Sequence, residues 1–84
     1  MQFQHIEIKL NNKDNIELLN KLLNILNERE KEIIIKRYGL FNNDELTQKE
    51  IAKSLKISRS YVSRIETRAL TKIYKELKKK NIII

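Results

Sequence analysis

Apolar residues recur three or four positions apart along most of this chain, and such spacing is typical of amphipathic α-helices. Capping signals divide the pattern into segments. Asn27 with Glu30 and Thr47 with Glu50 have the spacing of capping boxes, in which side chains and backbone N–H groups exchange hydrogen bonds at a helix start. Ser58 can cap a further helix. The pattern therefore predicts four helices, at about residues 14–26, 28–38, 47–55 and 58–77.

Two positions are predicted to adopt a left-handed backbone between these helices. Gly39 is the single glycine of a chain that has no proline, and it suits the end of the second helix. Lys56 stands where a turn between two helices usually has glycine. A left-handed backbone at a residue other than glycine would cost about 1 kcal/mol there. Residues 40–46 are expected to form a loop. The chain is thus predicted to be a small all-α four-helix domain at residues 14–77, with an irregular lead-in at 1–13 and a tail at 78–84.

The spacing also predicts which side chains form the core. In the first two helices these are Ile16, Leu19, Leu22, Leu23, Leu26, Ile33 and Ile34, and the second helix runs on through Tyr38. In the last two helices they are Ile51, Ala52, Leu55, Val62, Ile65, Ala69, Ile73 and Leu77.

Composition excludes several kinds of site. The chain has no cysteine, which removes disulfides and thiolate sites, and its one histidine is His5. A histidine-based metal cluster or a Ser–His pair would need residues from a second chain. The single glycine leaves no glycine-rich phosphate loop. We therefore expect no enzyme activity, metal, cofactor or small-molecule substrate. No apolar run reaches the ~18–20 residues that span a bilayer, so a cytoplasmic location is expected.

The net charge of +7 is confined to one part of the chain. Residues 51–84 carry ten basic and two acidic side chains, whereas the first 50 residues are close to neutral. A basic surface of this kind favours an anionic partner, and its coincidence with the last two helices favours nucleic acid.

Residues 48–67 fit a helix-turn-helix motif, in which a second helix enters the major groove of DNA. Ala52 suits the point where the two helices cross, because a small side chain allows close approach. The motif's apolar positions are Ile51, Leu55, Ile57, Val62 and Ile65. An ordinary helical hairpin would show the same spacing, and the location of the charge favours the DNA-binding alternative.

Several polar residues of the last helix are placed to contact DNA. Its first two turns face base edges if it is a recognition helix, and they carry Arg59, Ser60, Ser63 and Arg64. Residues further along are better placed for phosphates, and these are Arg68, Lys72 and Lys75. Tyr61 can either hydrogen-bond a phosphate or stack against the third helix.

Two runs of this sequence, NEREKEIIIKRYGL and TQKEIAKSLKISRSYVSRIETRALTKIYKEL, resemble region 4 of the sigma-70 family of RNA polymerase sigma factors, especially the sporulation sigma factors. In that family this region binds the −35 promoter element and docks on the flap of the polymerase β subunit. The resemblance implies base-facing positions for Arg59, Ser60 and Arg64. Ser60 stands where housekeeping members have an acid, and Arg64 replaces a glutamine, so a housekeeping promoter sequence is not expected.

The resemblance also assigns the remaining contacts. It implies positions near the DNA backbone for Arg29, Arg37, Ser58, Ser63 and Arg68. It implies that the apolar side of residues 16–38 helps hold the flap, and the candidates for an exposed groove are Leu19, Leu22, Leu23, Leu26, Ile33 and Ile34. The competing interpretation is that all six are core residues.

Three functions remain open at this point. The first is a promoter-recognition module that binds double-stranded promoter DNA and RNA polymerase. The second is a free-standing dimeric helix-turn-helix regulator, in which apolar residues of 14–34 pair two chains. The third is an interaction protein that binds the polymerase flap and binds DNA weakly. Nothing here resembles the promoter-melting regions of a sigma factor, so we expect either a fragment of one or a small protein built on the same module.

Overall fold

A computed structural model of the chain describes residues 12–81. It contains four helices, α1 at Asn12–Asn24, α2 at Glu28–Tyr38, α3 at Gln48–Leu55 and α4 at Arg59–Lys79. The predicted all-α four-helix domain is confirmed, since residues 12–81 contain no strand. Helix α1 begins two residues before the predicted start at 14, and α4 continues two residues past 77. Most of the predicted lead-in, residues 1–11, and the last tail residues, 82–84, lie outside the described part.

Side-chain caps start three of the helices, as predicted. The Asn27 side chain accepts a hydrogen bond from the Glu30 N–H at 2.8 Å, and the Asn27 N–H donates to Glu30 Oε1 at 3.0 Å. Thr47 and Glu50 form the same box at 3.1 and 2.8 Å. Ser58 Oγ accepts from the Tyr61 N–H at 3.0 Å. These bonds satisfy N–H groups that a helix start leaves without partners.

Left-handed residues end α2 and α3. Gly39 has φ 64° and ψ 39°, and Lys56 has φ 57° and ψ 45°, so both predicted left-handed positions are confirmed. A Cβ atom at Gly39 would lie 3.0 Å from Asn43 O, so glycine is required there for space as well as for φ. Residues 40–46 form a loop, which the Leu46 N–H fastens to α2 by donating to Lys36 O at 2.9 Å.

The core runs between α2, α3 and α4 and continues under α1. One cluster joins α2 to the helix pair α3 and α4, and consists of Ile33, Ile51, Ala52, Val62 and Ile65. A second joins α1, α2 and α4 through Leu23, Leu26, Ile34 and Ala69. A third joins α1 to the end of α4 through Leu18, Leu22 and Leu77. The apolar spacing thus located most of the core correctly.

One core prediction needs correction. Ile16 is 61% exposed, and Leu18 is buried in its place. The reason is geometric, because Leu18 and Leu22 stand four residues apart on one face of α1, and Ile16 lies off that face. Tyr38 is 43% exposed, although its hydroxyl bonds to a buried side chain of α4. Leu19, Leu55 and Ile73 are half-buried and pack on the edges of the clusters.

Candidate nucleic-acid interface

Helices α3 and α4 form a compact helix-turn-helix. Ile51 and Val62 are completely buried between them, and Leu55 and Ile57 cover this contact from the turn. The Ile57 N–H donates to Ala52 O at 3.1 Å, which closes the turn after Lys56. Because its inward face is fixed by these contacts, α4 directs its other face away from the domain.

The first turns of α4 place the predicted base-reading residues together on the surface. Arg59, Ser60 and Arg64 are all exposed. Ser58 is exposed as well, but its hydroxyl is used as the helix cap and lies 3.5 Å from Ser60 Oγ. Ser63 is half-buried. The start of α4 therefore presents two arginines and short hydroxyl side chains, which suits hydrogen bonding to base edges.

Tyr61 has a partner on its own helix. The Arg64 guanidinium carbon lies 5.9 Å from the centre of the Tyr61 ring, within the range of a cation–π contact. The ring is exposed, with 43% of the residue's surface accessible. The sequence left two partners open for Tyr61, a phosphate or α3, and the structure adds this third one.

The cations of α4 fall into two groups. Lys72 Nζ lies 2.8 Å from Glu30 Oε1, and Lys80, which directly follows α4, has its Nζ 3.6 Å from Glu76 Oε2. Among the side chains of residues 15–81, the other cations of α4 have no carboxylate within ion-pair distance, and these are Arg59, Arg64, Arg68, Lys75, Lys78 and Lys79. Arg59, Arg64 and Lys75 of this second group are exposed and can meet an anionic ligand, and Arg68 is exposed as well although its charge also acts on Glu30.

Glu30 is the internal partner of Lys72. The Glu30 side chain is 1% exposed, and its Oε1 accepts from both Lys72 Nζ and the Asn27 N–H, whereas Oε2 has no hydrogen-bond partner. Burial by itself raises the pKa of Glu30. That pKa nevertheless lies below its ordinary value of 4.5, because hydrogen bonds from Lys72 and Asn27 and the charges of Lys72 and Arg68 lower it by more. Glu30 is therefore a buried carboxylate that α4 neutralises.

A second buried carboxylate, Glu66, joins three helices. Its Oε2 accepts from the Tyr38 hydroxyl at 2.8 Å, and its Oε1 accepts from Gln48 Nε2 at 2.9 Å. Arg37 Nε forms an ion pair with Oε1 at 3.5 Å. Burial, the hydrogen bond to Glu66 and the Glu66 charge raise the pKa of Tyr38 to about 12. Glu66 thus holds the end of α2 and the start of α3 against α4.

Two arginines that were expected near the DNA backbone have internal partners. Arg37 pairs with Glu66, donates to Leu46 O at 3.3 Å and lies beside the Tyr38 ring. Arg29 is half-exposed and pairs with Glu32 on its own helix at 3.6 Å. Among the predicted backbone residues, Arg68 has no ion-pair partner within the described part of the chain, whereas Lys72 and Arg37 make contacts that hold the fold.

The six apolar residues predicted to contact polymerase lie mostly inside the domain. Leu19 is half-buried, and the other five are buried, namely Leu22, Leu23, Leu26, Ile33 and Ile34. They form the core under α1 and α2, so the five buried ones do not line an exposed groove. An open groove of about 580 Å³ lies instead along the outer side of α2, where its lining includes Glu32, Ile35, Lys36 and Asn43.

Sequence reasoning missed the two buried carboxylates as structural centres. Glu30 was recognised only as a cap, since nothing in the spacing connects it to Lys72, 42 residues away. A signal was available for Glu66, because residues 51–84 contain only two acids and Glu66 adjoins the apolar residue Ile65. An isolated acid beside the apolar face of a basic helix indicates an internal partner.

The described part of the chain contains neither a group of metal-ligating side chains nor a membrane-spanning helix. Among residues 12–81, no three His, Cys, Asp or Glu side chains are grouped as a metal site would require. None of the helices there combines the length and the apolar character needed to cross a bilayer.

The arrangement defines a class of protein, the DNA-binding helix-turn-helix domains. A family model described as "Sigma-70, region 4" matches residues 22–75, which is more than half of the chain. The chain belongs to this sigma-70 region 4 family, a DNA-binding family that is not catalytic.

Relatives agree with this assignment. The chain is 59% identical over 61 residues to the RNA polymerase sigma-28 factor of Bacillus thuringiensis subsp. kurstaki, covering 73% of the chain and 26% of that protein. It is 56% identical over 61 residues to the sigma-K factor of Bacillus subtilis (strain 168), covering 73% of the chain and 21% of the relative. It is 51% identical over 63 residues to the sigma-E factor of Clostridium acetobutylicum, covering 75% of the chain and 27% of the relative. The chain thus spans about a quarter of the length of these relatives.

Proposed function

We propose that this chain is the promoter-recognition module of a sporulation-type sigma factor. It binds the −35 promoter element through α4 and docks on the β-subunit flap of RNA polymerase, in the cytoplasm and without catalysing a reaction. The observation that carries the proposal is the set of exposed cations on α4 that have no ion pair with another described residue. It begins with Arg59 and Arg64, at the end of the helix that a helix-turn-helix inserts into DNA.

Base reading is assigned to Arg59, Ser60 and Arg64. An arginine side chain can donate two hydrogen bonds to O6 and N7 of a guanine, which discriminates among base pairs by about 1–3 kcal/mol. Neither arginine would have to break an internal ion pair among the described residues to do so. Serine at position 60 is short and can both donate and accept, so it adds a contact without a charge.

Backbone contacts are assigned to residues flanking this face. Arg68 and Lys75 are exposed and unpaired within the described residues, and they supply charge to phosphates. Ser58 and Ser63 contribute hydroxyl groups close to the start of α4, and Arg29 is half-exposed at the start of α2. Lys72 and Arg37 retain a secondary role there, since both would have to share their charge with Glu30 and Glu66.

Polymerase docking is assigned to the surface of α1 and α2. Support comes from the relatives, each of which is named as an RNA polymerase sigma factor. The open groove on the outer side of α2 has the half-buried Ile35 among charged side chains, so a partner helix could place apolar residues against it. Leu19 is the one predicted contact that reaches the surface.

Selection of bound sequences from random duplexes, with and without the isolated polymerase flap, tests the proposal. We expect one asymmetric motif, and binding to the flap by the same chain. Arg64→Ala should lower affinity for the selected duplex by about 1–3 kcal/mol and leave random duplex binding nearly unchanged. Arg68→Ala is the matched control and should weaken both duplexes alike.

Other outcomes would favour the other two functions. A palindromic motif together with a stable dimer in sedimentation would indicate the free-standing regulator. Flap binding without any duplex binding at low salt would indicate the interaction protein. The burial of most apolar residues of α1 and α2 speaks against the dimer, because those residues are already packed within one chain.

A further inference from the structure

Tyr61 is an exposed aromatic residue on the recognition helix that base reading and phosphate binding leave unused. Its ring lies under the Arg64 guanidinium, with 5.9 Å between the guanidinium carbon and the ring centre. Residues three apart on a helix share a face, so the two side chains leave α4 in the same direction. We propose that Tyr61 is a positioning residue that holds Arg64 ready to read a base pair, an inference that rests on the proposed function.

The geometry of a guanidinium explains why this contact assists base reading. The group is planar, and it stacks through its face while it donates hydrogen bonds through its edge. A ring partner has no carboxylate oxygens to accept those N–H groups, so the donors of Arg64 remain available for guanine O6 and N7. A carboxylate partner would compete for those donors, and Arg37 and Arg29 have such partners in Glu66 at 3.5 Å and Glu32 at 3.6 Å.

Tyr61 itself is held in place by the helix start. Its N–H donates to Ser58 Oγ at 3.0 Å, and the next residue, Val62, is completely buried in the core. The backbone under the ring is therefore fixed. A long arginine side chain that is restrained by such a ring loses less conformational freedom when it binds DNA than an unrestrained one does.

The main test replaces the ring and leaves the rest of the helix intact. Tyr61→Leu should weaken binding to the selected duplex by about two- to fivefold, the range expected for an exposed cation–π contact, and should leave binding to random duplexes unchanged. Tyr61→Phe keeps the ring and should bind both duplexes as the unaltered chain does. Thermal unfolding of each variant separates this effect from a loss of stability.

A double-mutant cycle shows whether the effect passes through Arg64. In an Arg64→Ala background, Tyr61→Leu should cause no further loss. Arg64→Lys, which keeps the charge but has no planar group, should lose specific binding even with Tyr61 present. In the free protein, proton NMR should show ring-current shifts of the Arg64 side chain that Tyr61→Phe preserves and Tyr61→Leu removes.

Several results would overturn the inference. They are an unchanged specific affinity for Tyr61→Leu, an equal loss on random duplexes, an additive loss in the Arg64→Ala background, or absent ring-current shifts. A defect of Tyr61→Phe as large as that of Tyr61→Leu would assign the role to the hydroxyl group instead. Failure of the unaltered chain to select any motif would overturn the proposed function and this inference together, whereas selection with an inert Tyr61 overturns the inference alone.

Discussion

Lys72 on α4 and Glu30 at the start of α2 form an ion pair at 2.8 Å, with the carboxylate buried and the lysine half-exposed. The same carboxylate oxygen receives the Asn27 N–H that caps α2. One atom thus connects the start of one helix to the middle of another. Lys72, which is predicted from the sequence to contact DNA phosphates, therefore also makes a contact that stabilises the fold.

Replacing Lys72 should cost stability as well as charge. Lys72→Met leaves Glu30 buried with no cation bonded to it, and we expect a loss of about 1–3 kcal/mol in the free energy of unfolding. Lys75→Met removes the same charge from an exposed, unpaired position three residues further on and should change stability by less than about 0.5 kcal/mol. Urea unfolding at neutral pH compares the two variants. Equal stability would mean that the ion pair contributes nothing.

Acid should reveal the contribution of Glu30. Because the pKa of Glu30 in the folded state lies below its ordinary value of 4.5, its ionised form stabilises the fold above that pH. This contribution is lost as the pH falls through the lowered folded-state pKa. Glu30→Gln should therefore be less stable than the unaltered chain at neutral pH, and the gap should narrow on acidification.

Unfolding curves recorded across this pH range measure that gap directly. Glu50→Gln is a useful comparison, since hydrogen bonds from Thr47 also lower the pKa of Glu50 but its side chain is exposed. The difference in the free energy of unfolding between Glu50→Gln and the unaltered chain should have the same sign as that for Glu30→Gln and should be smaller. A gap for Glu30→Gln that widens in acid would contradict the assignment.

The phenol of Tyr38 should report the charge of Glu66. Its pKa is raised to about 12 by burial, by the hydrogen bond to Glu66 and by the charge of that carboxylate. Glu66→Gln removes the charge and should move the pKa of Tyr38 back toward 10. Phenolate absorbance in the ultraviolet follows the titration, and Tyr38→Phe identifies the contribution of this residue among the three tyrosines. An unchanged titration in Glu66→Gln would refute the contact.

The two left-handed helix ends should respond oppositely to substitution. Lys56 has φ 57° without being glycine, so Lys56→Gly should stabilise the domain by up to about 1 kcal/mol. Gly39→Ala adds a Cβ atom 3.0 Å from Asn43 O and 3.1 Å from Glu45 N, at φ 64°, and should destabilise it by more than about 1 kcal/mol. Thermal and urea unfolding check both, and a loss of stability in Lys56→Gly would show that the lysine side chain compensates for its backbone.

Local chemistry explains why the fold was predictable. Caps such as Asn27 and Thr47 act within three residues, and Gly39 was the single residue suited to its turn, so each could be located from the sequence. The orientation of α1 was harder to predict. Ile16 and Leu18 are both apolar, and the choice between them depends on how α1 rests on α4, which is decided by packing over a long separation.

The candidate site was predictable in its location and less so in its charges. The exposed start of α4 follows from helical spacing, which places Arg59 and Arg64 away from the core. Whether a particular cation is free depends on an acid from another helix. Lys72 and Lys75 have equivalent surroundings in the sequence, but of the two it is Lys72 that pairs with a buried carboxylate of α2. Local spacing could not predict this contact, because Glu30 is 42 residues away in the chain.

The two buried carboxylates also determine how α4 is oriented. Glu66 connects α4 to the end of α2, and Lys72 connects it to the start of α2, so the two helices run antiparallel and meet at points about 9 Å apart along α4. A helix held to its neighbour by one contact could still pivot about that contact, whereas two contacts fix both the tilt and the azimuth of α4. The direction in which Arg64 leaves the domain is thus set before any duplex arrives, and docking requires little reorientation of the helix.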